Sequence, residues 1–87
     1  MQVYAKLFAT LVRLVPDNVS TWYPKIRAGS RLGVDLPEGS TLADLLDYLA
    51  LPKDKVRVIF VNGRVQPFDY RLQPGDEAGI FPPIGGG

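Results

Sequence analysis

The 87-residue chain contains neither cysteine nor histidine. Without cysteine there are no disulfides, thiolate nucleophiles or Cys-based metal centres. Without histidine the commonest general base and the commonest imidazole ligand are missing too. Charge of one sign is also scarce: ten Lys+Arg against nine Asp+Glu leave +1, so there is no basic field of the kind nucleic acid requires. No apolar run approaches the ~20 residues of a membrane span, and the start MQVYAKLFAT lacks the long apolar stretch of a signal peptide. The expected setting is therefore cytoplasmic, with no membrane and no nucleic-acid partner. Two independent cores are excluded, since a chain of this size buries about 60% of its unfolded surface even as one unit. Nine carboxylates, four lysines and four tyrosines on so small a domain do not suggest an autonomous enzyme.

What is present alternates. Val3, Ala5 and Leu7 fall on one side of Met1 to Phe8, with Tyr4, Lys6 and Phe8 on the other, which predicts a strand with its aliphatic side inward. Thr10 to Val15 allows one helical turn before Pro16, and Asp17 to Ser30 reads as a loop carrying Trp22 and Tyr23. Arg31 to Leu36 is a second strand, antiparallel to the first because no helical crossover joins them. Pro37-Glu38-Gly39 turns the chain. Leu42, Leu45, Leu46 and Leu49 at i, i+3, i+4 and i+7 predict a helix with a leucine face, capped by Thr41 with Asp44 and stopped by Pro52. Val56 to Val61 is a third strand, Asn62-Gly63 a type I′ hairpin turn, and Arg64 to Pro67 a short fourth strand. Leu72 anchors a loop, Pro74-Gly75 turns again, and Glu77 to Phe81 is the last strand. The fold class is α+β with one main helix.

One helix covers one face of a sheet. Both faces carry bulk, however: Leu7 against Phe8, Val58 and Phe60 against Ile59 and Val61, Ile80 against Phe81. The uncovered face should expose an apolar patch, and such patches usually meet a partner. Beyond it the sequence reads Pro82-Pro83-Ile84-Gly85-Gly86-Gly87. Three glycines can be a frayed terminus or a leftover linker. Here a stiff Pro-Pro pair directs them away from the fold, and glycines pass through a tunnel too narrow for side chains. Together they suit the delivery of the Gly87 carboxylate into another protein's active site. A carboxylate becomes an acyl donor only once it carries a leaving group, as after adenylation. The chain has no P-loop and no thiol for that chemistry, which would belong to the partner.

MQVYAKLF resembles the first strand of ubiquitin-like β-grasp domains. VDLPEGSTLADLLDYL, VIFVNGRVQ, LQPGDEAGIFPP and the terminal Gly-Gly are similar to the MoaD/ThiS sulfur carriers, with IFPPIGGG nearer the molybdopterin branch. The resemblance implies a β-grasp fold, a mixed sheet of about five strands packed on one main helix, over residues 1–82, followed by a flexible reactive tail at 83–87. It implies that Gly87 is adenylated by a ubiquitin-activating-type enzyme using ATP and converted to a thiocarboxylate, with Gly85 and Gly86 as the slender lead and no cofactor or metal bound to the carrier itself. It places Phe8, Val65, Phe81, Pro82 and Pro83 at a docking surface for that enzyme and for the large subunit of molybdopterin synthase, or for thiazole synthase if the thiamine pathway is served. A ubiquitin-like modifier joined to lysines is the alternative from another class, and an interaction domain with an inert tail is a third. The third glycine, Gly85, and the Asp17–Ser30 loop depart from the family pattern.

The remaining signals have plain readings. Asn18-Val19-Ser20 fits a glycosylation acceptor by chance, and Trp22 and Tyr23 suit packing over the core edge. Arg57, Arg64 and Arg71 are solvated charges, and Tyr4 and Lys6 are solvent-face residues or the rim of the patch. Asp69, Asp76 and Glu77, with no His or Cys beside them, read as a solvated turn rather than a metal cluster.

Overall fold

The computed structural model describes residues 1–8 and 31–83. The expected helical turn at Thr10–Val15, the Asp17–Ser30 loop with Trp22 and Tyr23, and the Ile84–Gly87 tail lie outside the described residues. Among the described residues, five strands and one α-helix follow one another as β1 (Gln2–Leu7), β2 (Arg31–Asp35), α1 (Leu42–Tyr48), β3 (Val58–Val61), β4 (Arg64–Gln66) and β5 (Glu77–Phe81). The sheet order is β2-β1-β5-β3-β4. β1 pairs antiparallel with β2, as expected from the sequence, and parallel with β5. β3 lies antiparallel to both β4 and β5. The architecture is the β-grasp, a mixed five-stranded sheet holding one helix.

Alternation places the core. Val3, Ala5 and Leu7 of β1, Leu32 and Val34 of β2, Ile59 and Val61 of β3, and Ala78 and Ile80 of β5 are all buried on one face. They join Leu42, Leu45, Leu46 and Leu49 in a single cluster, so the leucine stripe is the helix's contribution to the core. Each fully buried leucine removes apolar surface worth roughly 1.5–3 kcal/mol.

The helix begins as its sequence requires. The Asp44 N–H donates to Thr41 Oγ1 at 3.2 Å, and the Thr41 N–H donates to Asp44 Oδ2 at 2.8 Å, closing a reciprocal capping box. It ends differently from the expectation. Ala50 adopts φ +56°, the Leu51 N–H donates to the Leu46 carbonyl at 2.9 Å, and the Ala50 N–H donates to the Asp47 carbonyl at 3.1 Å. This is a Schellman termination with alanine in the left-handed position usually filled by glycine. The helix has closed before Pro52, which instead leads a 3₁₀ turn at Lys53–Lys55. That turn delays the third strand from the expected Val56 to Val58.

The two turns on the right-hand half of the sheet use positive φ. Asn62 (+52°) and Gly63 (+87°) make the β3–β4 hairpin, as a type I′ turn demands. Gly75 (+86°) follows Pro74, and the Asp76 N–H closes the turn on the Gln73 carbonyl at 3.0 Å. A proline–glycine pair closed in this way matches a type II turn.

Candidate functional site

The face of the sheet opposite α1 receives the other half of each strand's alternation. Register fixes which side chains meet. Lys6 stands opposite Arg31 and Gly79, Gly79 opposite Phe60, and Phe60 opposite Val65, forming one row across all five strands. The row divides the face in two.

The apolar half is aromatic. The Phe8 and Phe81 rings stack in parallel with centroids 4.4 Å apart, and Phe60 meets Phe81 edge-on at 5.6 Å and 79°. Phe60 is 37% exposed and Val65 is 58% exposed, while Phe8 and Phe81 are half-buried. Gly79 lies beneath the rings. A Cβ there would meet Phe8 Cε2 at 3.4 Å and Phe81 Cε2 at 3.5 Å, ordinary van der Waals contact, so both rings lie directly over this position. A groove of about 570 Å³ runs along this surface, lined by Phe8, Phe60, Gly79 and Phe81 and, at its polar end, by Asn62 and Glu77.

The other half is charged, with two cations sharing one carboxylate. Lys6 Nζ lies 2.9 Å from Glu77 Oε1, and Arg31 Nε lies 3.5 Å from Glu77 Oε2. The Arg31 guanidinium sits 3.7 Å over the Tyr4 ring. The Lys6 hydrogen bond, together with the positive charges of Lys6 and Arg31, outweighs partial desolvation and holds the Glu77 carboxyl below its ordinary range. Lys6 and Tyr4 thus form the ordered rim of the patch rather than loosely solvated side chains.

The expected docking residues therefore divide clearly. Phe8, Phe81 and Val65 share the uncovered face, with Pro82 half-buried and Pro83 exposed immediately beyond β5. Gly85, Gly86 and Gly87 lie outside the described residues. Phe60 and Gly79 complete the surface. Phe60 was readable from the alternation in Val58–Val61, and Gly79 from its place between Glu77 and Phe81.

The turn at Asp76 corrects the sequence reading. Asp76 is buried, not solvated. Its carboxylate accepts from Asn62 Nδ2 at 2.9 Å, Tyr70 Oη at 3.0 Å and the Gln73 N–H at 2.8 Å. Desolvation, followed by this hydrogen bond and the nearby negative charge, raises the Tyr70 hydroxyl's pKa, so it remains a donor. Glu77 belongs to the Lys6–Arg31 cluster instead. Among the described residues no three acidic side chains converge as a metal site, and no helix is long and apolar enough to cross a membrane.

A five-stranded mixed sheet gripping one helix among the described residues, with an aromatic face at the exit of its last strand, defines a ubiquitin-like β-grasp protein. The chain belongs to the ThiS family, whose model matches residues 24–87. Among solved structures it is similar to a Pyrococcus furiosus protein assigned as molybdopterin converting factor, subunit 1. That likeness has 26% identity and a TM-score of 0.67, covering 97% of this chain and 99% of the other. Small archaeal modifier protein 1 of Haloferax volcanii shares the fold at 21% identity and a TM-score of 0.67, over 95% of this chain and 98% of its own. The Haloferax volcanii HVO 2177 protein shares it at 20% identity and a TM-score of 0.69, over 100% and 87%. No curated protein sequence matches the chain.

Proposed function

We propose that this protein is a sulfur carrier whose Gly87 carboxylate is activated and thiocarboxylated by a ubiquitin-activating-type adenylyltransferase and then donates sulfur to molybdopterin or tungstopterin synthesis. One observation carries the reading. β5 places Phe81 at the heart of the aromatic face, and the chain leaves that face through Pro82 and Pro83 toward the glycines. A partner gripping the patch thereby stands at the root of the tail. The family match, which runs through residue 87, and the 26%-identical molybdopterin converting factor support the same reading.

The chemistry divides between two proteins. A Gly87 carboxylate oxygen attacks the α-phosphorus of ATP on the partner, and pyrophosphate leaves. Sulfide supplied on the partner then attacks the acyl carbon and expels AMP, leaving a thiocarboxylate. In the synthase, the thiocarboxylate sulfur attacks an electrophilic side-chain carbon of the pterin precursor and displaces an oxygen leaving group, and hydrolysis of the resulting thioester leaves the sulfur on the pterin and returns the carboxylate. The carrier supplies recognition and reach, with no general base of its own.

Intact-mass measurement after incubation with the cognate activating enzyme, ATP and sulfide tests this. One sulfur-for-oxygen exchange is expected at the C-terminus of the wild type and none after deletion of Gly87, with the melting temperature unchanged. Lysine-linked conjugates would instead make the protein a modifier. Sulfur accepted by a thiazole synthase, and not by a molybdopterin synthase large subunit, would move it to the thiamine pathway.

A further inference from the structure

The β3–β4 turn needs only backbone conformation, yet the Asn62 side chain is bound on both sides. Its Nδ2 donates to Asp76 Oδ1 at 2.9 Å, and its Oδ1 accepts from the Glu77 N–H at 3.0 Å. The Asn62 N–H also donates to the Glu77 carbonyl at 3.0 Å. Three hydrogen bonds therefore join one turn residue to the start of β5. The anchor is itself fixed, because Tyr70 Oη and the Gln73 N–H hold the other oxygen of the buried Asp76 carboxylate. Asn62, Gly63, Gly75 and Glu77 line the polar end of the groove whose apolar end is Phe8, Phe60 and Phe81.

We propose that the Asn62–Asp76 pair is a clamp that builds the polar end of this groove before any partner arrives, making Asn62 a positioning residue for docking. The inference rests on the docking role proposed above. The hairpin would otherwise be a weak wall: β4 is three residues long, and both turn residues are exposed. Held by the clamp, the turn need not be ordered during binding, and affinity gains by the ordering cost avoided. Asp76 acts through Asn62 and the backbone, since its own carboxylate is buried beneath the surface.

Two substitutions separate the clamp from the turn, because Gly and Asp both accept positive φ and preserve the hairpin. Asn62→Gly removes both side-chain bonds. Asn62→Asp places a second carboxylate against Asp76, and the two repel until one takes up a proton. In Asn62→Gly, hydrogen exchange at the Glu77 amide should accelerate while exchange in the core strands keeps its wild-type rank. In both variants KM for the cognate activating enzyme should rise about tenfold near pH 7 with kcat retained, the scale of one lost charge-assisted hydrogen bond. In Asn62→Asp, the KM ratio to wild type should fall toward one as the pH is lowered toward 5, while Asn62→Gly stays impaired. Thr41→Ala, which loosens the helix cap on the other face, is the stability control and should leave KM unchanged.

Wild-type KM in both variants, or an equal rise in Thr41→Ala, overturns the clamp. Unchanged Glu77 exchange in Asn62→Gly overturns it without any partner. Failure of the wild type to be adenylated at all counts against the carrier reading instead, and the exchange measurement still decides the clamp.

Discussion

The two faces of this sheet are made by the same strands, yet they behave as different materials. Under α1, Val3, Ala5, Leu7, Val34, Ala78 and Ile80 have no measurable exposure and interlock with the helix leucines. On the opposite side Phe60 and Val65 stand in solvent, the Phe8–Phe81 stack is half-open, and beside them Lys6 and Arg31 share the Glu77 carboxylate. Period-two alternation thus separates a packed face from a partly exposed aromatic and charged face within one layer of backbone. The face opposite α1 can hold large apolar groups because the other face already supplies a core, and it orders them by ring stacking.

That division can be broken from either side. The largest effect should come from the covered face: Leu46→Ala removes a fully buried side chain and should cost about 3 kcal/mol in urea unfolding, with the surviving folded fraction still competent for activation. Next, Phe60→Asp should cost about 1 kcal/mol of stability, the scale of an edge-on aromatic contact. It should weaken partner binding by about 2 kcal/mol, roughly thirtyfold, in titration calorimetry. Equal losses in stability and binding would erase the distinction between the faces.

The smallest effect concerns the charged half. Because the Glu77 carboxyl is held below its ordinary range, its stabilising contribution is present above the unfolded-chain value of about 4.3 and is lost as pH falls through the lower folded value. The melting-temperature difference between wild type and Glu77→Gln should therefore be small at neutral pH, shrink further with added salt, and vanish in acid. A difference that grew on acidification would reverse the assigned sign.

Local signals carried most of the fold. The alternation in Gln2–Leu7, the leucine spacing, the Thr41–Asp44 box and the Asn62-Gly63 turn are each decided by neighbours within a few residues, and each appears where it was read. Features set by distant partners were harder to see. The burial of Asp76 depends on Asn62, 14 residues earlier in the chain, and on Tyr70, so a reading of Asp69, Asp76 and Glu77 without those partners gave a solvated turn. The helix end misled for a different reason: Ala50 carries no glycine signal, and Pro52 nearby offered a sufficient but incorrect cause. Of the candidate site, the aromatic half followed from alternation together with the family resemblance. The clamp beneath its polar end required coordinates.

The parallel pairing of β1 with β5 has a consequence for synthesis. In chain order β1 is the first strand described, yet it lies between β2 and the central strand β5, which is the last. A nascent chain halted before Glu77 cannot close the sheet, so it offers neither a stacked Phe8 nor a place for Phe81. Until β5 pairs, β1 keeps an open inner edge, so a product truncated there is exposed to proteolysis and to edge-to-edge association.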